Sequence, residues 1–156
     1  MSYFLQALRG FVFVLIAAIM TTIIASVLST QRVIGGLTNL GVKTPLSERL
    51  SMTLYDLQHF GSLYGLFVFL GLLLALFIAS DLSHRIKKLR LPLMIGAGMV
   101  SMFVMLFLMK QVFFGVPIVA GARDGFGLFL QMLAGGAGGY VFYLLTKPKP
   151  EPEAQD

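Results

Sequence analysis

Four long apolar runs constrain this chain more than any other feature. Residues 11–30, 60–80, 91–113 and 125–145 each supply about the 20 residues that an α-helix needs to cross a hydrocarbon core of about 30 Å. None holds an acidic residue well inside the run. In lipid every backbone N–H and C=O must be satisfied within its segment, and these runs lack the alternation of barrel strands, so they read as helices. Hydrophobic residues make up 57% of the 156 positions and charged residues only 12%. With a mean hydropathy of +0.86, this is the composition of an integral membrane protein. The expected fold is an all-α four-transmembrane-helix bundle forming one domain, residues 1–146. A tail at 147–156, KPKPEPEAQD, alternates proline with charge and is expected to stay extended and disordered.

The basic residues set an orientation. Arg9 precedes the first run, which is long for a cleavable signal and reads as a retained anchor. With both termini in the cytoplasm, the inside receives Arg9, the short loop SDLSHRIKKLR with Arg85, Lys87, Lys88 and Arg90, and the tail lysines. The outside receives Arg32, Lys43, Arg49, Lys110 and Arg123. The expected location is a bacterial inner membrane, crossed several times. The net charge of +5 sits beside membrane ends rather than on a soluble module, which points to lipid headgroups and away from nucleic acid.

Between the first two runs, QRVIGGLTNLGVK reads as turn-rich, and Thr44-Pro45 as a helix start with threonine as cap. Leu46, Leu50, Leu54 and Leu57 then recur on one helical face, opposite Glu48, Ser51, Tyr55, Gln58 and His59. This predicts an amphipathic helix lying on the outer, periplasmic membrane interface before span two.

Little in the chain advertises catalysis or a cofactor. Cysteine is absent, which removes thiol chemistry and thiolate metal sites. His59 and His84 lie at opposite ends of span two, about 37 Å apart along a helix, so they cannot share a haem or a metal ion. Asp56, His59 and Ser62 fall at i, i+3 and i+6, but adjacent turns of one helix do not converge on a reacting atom. Met94, Met99, Met102, Met105 and Met109 share an arc of span three and read as packing filler rather than a copper path. No cofactor, no metal and no enzymatic activity are therefore expected. The first span also lacks the membrane-embedded glutamate of small multidrug transporters.

Two sets of residues remain as candidates. Asp56, His59, Lys110, Arg123 and Asp124 fall at the outer ends of three spans, with Gln131 two turns deeper, and form a candidate polar cluster. Asp124 also suits the N-cap of span four, and Arg123 can snorkel to headgroups. The second set is helix-packing glycine: Gly61 with Gly65, Gly121 with Gly125, and Gly135 with Gly139, each a GxxxG pair. Gly127, Gln131, Ala134 and Gly138 make a further stripe on span four. Tyr3, Tyr55, Tyr64, Tyr140 and Tyr143 read as interface anchors. The leading functional expectation is a non-catalytic membrane protein acting through helix association, either with a membrane-protein partner in a larger complex or as a homo-oligomer. The alternative is a small transporter or channel with its outer entrance at Asp56, His59, Arg123 and Asp124.

Overall fold

The computed structural model describes residues 2–147 apart from Phe60 and Pro117, with side chains from Leu5 onward. The side chain of the Tyr3 anchor and the tail from residue 148 lie outside what is described. Five α-helices follow one another: α1 (Ser2–Asn39), α2 (Leu46–His59), α3 (Gly61–Arg85), α4 (Arg90–Val112) and α5 (Gly125–Thr146). Short 3-10 turns at Lys87–Leu89 and Ala120–Ala122 lead into α4 and α5, and the described residues contain no strand. Four of the helices, α1, α3, α4 and α5, are long and apolar enough to cross a membrane.

The segment expected to be turn-rich after Thr30 is helical as far as Asn39. At 38 residues α1 is about 57 Å long, well beyond the hydrocarbon core. Gly35 and Gly36 are tolerated within it because tertiary contacts outweigh their weak propensity: Ile34 beside them is fully buried. The helix stops where Gly41, at φ +86°, takes the left-handed conformation open to glycine. Val42 N–H then reaches back to the Leu37 carbonyl at 3.2 Å, and Gly41 N–H to Thr38 at 3.0 Å, the paired bonds of a Schellman stop. Thr44 does not cap α2 as expected. Its hydroxyl is enclosed with no hydrogen-bond partner among the described residues, while its carbonyl accepts from Arg49 Nε at 3.2 Å.

Burial runs opposite to that of a water-soluble protein. Leu74, Phe77 and Ile78 of α3 face outward, whereas Thr21, Thr22, Ser26, Thr30 and Gln131 are buried. Small residues set the contacts. On one face of α5, Gly135 and Gly139 meet Gly98 and the Met94 carbonyl of α4 backbone to backbone, so that a Cβ at Gly98 or Gly135 would overlap the opposite carbonyl. On another face, Gly138 of α5 seats against Thr21 and lies beside the Ala17 carbonyl of α1. The Thr21 hydroxyl turns back to that Ala17 carbonyl at 2.9 Å, which satisfies it in an apolar setting. Gly65 of α3 packs on Thr22 of α1, and Gly71 of α3 on Ser101 of α4. Leu72, Leu76, Met94 and Met102 fill the space enclosed by these contacts.

These residues fix a sharp pair of outcomes. Gly98→Ala forces α4 away from α5 and costs about 1–3 kcal/mol, as overpacking does. Gly96, two positions earlier, faces open space, so Gly96→Ala is neutral or stabilising by up to about 1 kcal/mol, the helix-propensity gain. Denaturation of the detergent-solubilised variants followed by far-UV circular dichroism checks both.

Candidate polar site at the α2 end

The helices alternate in direction, so α2, the C-terminal stretch of α1 and the start of α5 share one end, here the α2 end. The start of α1, the α3–α4 turn and the end of α5 share the other, the terminal end. Asp124 organises the first of these. Its extended backbone, φ −110° and ψ 166°, breaks the chain before α5, and its Oδ1 accepts the Gly127 N–H at 2.7 Å, so it caps the helix. Gly127 is required there, because a Cβ would run into the Gly121 carbonyl. The other carboxylate oxygen takes the guanidinium of Arg32, which reaches across from α1 and lies with its Cζ 5.0 Å from the centre of the Phe126 ring. The Gly127 N–H, and then the Arg32 charge, hold the Asp124 carboxyl below the usual carboxylate range.

The other candidates divide into separate groups. Asp56 of α2 faces α1, where its Oδ2 lies 2.8 Å from the Thr30 hydroxyl. That hydroxyl is also 3.0 Å from the Ser26 carbonyl and shares its one proton between the two. Thr30 and Arg32 are two positions apart, about 200° around a helix, so Asp56 and Asp124 are held on opposed faces of α1. His59 is used within its own helix: its Nδ1 is 3.2 Å from the Tyr55 carbonyl, and the two rings stack at 4.1 Å. Asp56 and His59 belong to α2 and Ser62 to α3, so the three do not share one helix. Lys110 and Arg123 instead line a crevice of about 220 Å³ together with Asp124, over a floor that includes Leu106, Met109 and Leu128.

Gln131 lies in the interior, 1% exposed. Its Nε2 donates to the Ala25 carbonyl of α1 at 3.0 Å, and its Oε1 accepts from the Tyr64 hydroxyl of α3 at 2.8 Å. One amide therefore ties three helices. Tyr64 is not an interface anchor as its sequence position suggests; it is 1% exposed, because this face of α3 offers its hydroxyl a buried acceptor. Tyr55 and Tyr140 are exposed and Tyr143 half-buried.

Of the candidate packing glycines, Gly61 meets Leu57 and Gly65 meets Thr22, while Gly135 and Gly139 face α4. Gly121 sits in the 3-10 turn against Ser29, and Gly125 faces open space. The extended Asp124 between them breaks the helical spacing on which a GxxxG reading of that pair depends. Sequence reasoning passed over Gly98 as a contact maker and Arg32 as a partner, whereas Gly138 belongs to the further stripe read on span four. Gly98 carries a signal in principle, since a glycine in an apolar helix needs a packing reason.

Comparisons with protein families, with curated proteins and with solved structures find no match.

The Asp124 geometry fixes a pH response. A carboxyl whose folded pKa lies below its unfolded value adds stability above the unfolded value, near pH 4, and loses it as pH falls through the lower folded value. Acidification from pH 5 to pH 3 is therefore expected to lower the thermal midpoint of the wild type more than that of Asp124→Asn, which keeps a capping oxygen but has no charge to lose. For the interior tie, a double-mutant cycle of Tyr64→Phe with Gln131→Leu is expected to give a coupling of about 0.6–1.7 kcal/mol, the range of interhelical hydrogen bonds in membranes.

Proposed function

We infer that the protein is a non-catalytic four-helix bundle of a bacterial inner membrane that works by association, as an accessory or assembly subunit of a membrane complex or as a homo-oligomer. Both termini lie in the cytoplasm in this reading, because Arg85, Lys87, Lys88 and Arg90 crowd the short turn at the terminal end. The interior supports a scaffold rather than a conduit. Its centre is filled by Tyr64, Leu72, Leu76, Met94, Met102 and Gln131, each fully buried. The glycine faces of α5 are occupied by the chain's own α1 and α4.

One observation carries the reading furthest. None of the residues of α2 is buried, and Leu46, Leu50 and Leu54 stand 73%, 58% and 58% exposed. Asp56 fixes the helix against α1, so that its apolar face is presented at the periplasmic interface, where a second membrane polypeptide reaches it. Native mass spectrometry of the tagged protein, released from its own membrane with lipids retained, tests this. A complex mass that is lost in Leu50→Glu with Leu54→Glu, while far-UV circular dichroism is unchanged, supports the reading. A bare monomer in both samples contradicts it.

A second reading, a small transporter, draws on the crevice between the ends of α4 and α5, where Lys110, Arg123 and Asp124 meet. It requires Arg123→Ala to abolish a flux in vesicles while leaving the protein folded and inserted.

A further inference from the structure

At the terminal end, α4 begins where α5 stops, and Arg90 joins them. Its Nη2 donates to the Thr146 carbonyl at 2.7 Å. The residue is half-buried, and its Nε is enclosed with no hydrogen-bond partner among the described residues. The guanidinium carbon lies 6.0 Å from the centre of the Tyr143 ring. Lys147 Nζ lies 6.0 Å from the centre of the same ring, so two cations approach one aromatic side chain. Neither forms an ion pair with a carboxylate of the described residues, whose salt bridge joins Arg32 and Asp124 at the opposite end. Asp81, exposed on the last turns of α3, is the acidic side chain of this end among the described residues, against Arg85, Lys87, Lys88, Arg90 and Lys147.

A partly desolvated guanidinium without a counter-charge among the described residues is costly, and an anion that accepts from its Nη N–H groups, the Nε being enclosed, relieves that cost. We propose that Arg90 and Lys147, both beside Tyr143, bind the headgroup phosphate of an anionic phospholipid. Arg90 supplies planar donors suited to a phosphate, and Lys147 a mobile point charge. The surface beneath them selects a lipid over a free anion. Tyr140, Leu144 and Lys147 fall at i, i+4 and i+7, one stripe of α5, and the first two are 45% and 48% exposed. An acyl chain laid along Tyr140 and Leu144 therefore leads to a phosphate at the level of Lys147. The linear sequence points its basic residues to lipid headgroups but does not pair these two, since Arg90 belongs to the basic loop and Lys147 to the tail.

The test uses the full chain, reconstituted in phosphatidylcholine vesicles containing a minority of phosphatidylglycerol, then extracted gently and examined for retained lipid by native mass spectrometry. Wild type is expected to retain phosphatidylglycerol preferentially. Lys147→Gln is expected to lower that preference about fivefold, the effect of one cation near a charged lipid surface, and Arg90→Gln with Lys147→Gln to remove it. Lys110→Gln with Arg123→Gln, at the other end, is expected to leave it unchanged. Equal retention of the two lipids by wild type overturns the proposal, as does an equal loss in the two double variants. Displacement of the lipid by millimolar inorganic phosphate alone also overturns it, assigning the site to a free anion. Should the Arg90 variant fail to fold, Lys147→Gln decides the matter alone, since that side chain is exposed.

Discussion

The backbone contact between Gly98 of α4 and Gly135 and Gly139 of α5 is the constraint on which the rest of the arrangement depends. Lipid tails are as apolar as leucine, so burying apolar surface between helices gains little in a bilayer, and association rests on close packing and interhelical hydrogen bonds. Glycine allows the first by removing side chains from the contact. Once α4 and α5 are in register, α5 presents Gly138 to Thr21 and Gln131 to Ala25 of α1. The Gln131 amide then recruits α3 through Tyr64.

That interior leaves polar chemistry to the two ends. At one, α1 continues as a helix to Asn39 and carries Thr30 and Arg32 to Asp56 and Asp124. The charge pair that adjoins in sequence, Arg123 with Asp124, is not the pair that forms; Asp124 goes to α1 and Arg123 faces the crevice beside Lys110. At the other end, Arg90 closes α4 onto α5 and keeps its charge unpaired by any described carboxylate. The ends are thus unlike: one carries α2 and the Arg32–Asp124 pair, the other a basic rim.

Much of the helical content was legible, because a run of about 20 apolar residues admits few backbone solutions in lipid. The glycine and polar positions of α5 were legible as packing candidates for the same reason. The extension of α1 was not, since Gly35 and Gly36 look like a turn until the complete burial of Ile34 beside them is seen. The partners of the polar residues were not legible either. Arg32 meets Asp124 across 92 positions and Tyr64 meets Gln131 across 67, and nothing local to either residue names its partner. Asp124 could be read as a cap because capping is local chemistry.

The absence of cysteine makes the central claim directly measurable, because an introduced pair reports without background. Gly136 and Ile95 face each other across the α4–α5 contact, with a Cβ built at Gly136 only 3.3 Å from Ile95 Cγ2. Ile95→Cys with Gly136→Cys, oxidised in native membranes and run on a denaturing gel, separates the two possible uses of this surface. If the glycine face serves the chain's own α4, the band stays at the 17.1 kDa of one chain with its thiols consumed. A cross-linked band at twice that mass, with the single-chain thiols still free, would place the contact between chains and contradict the account.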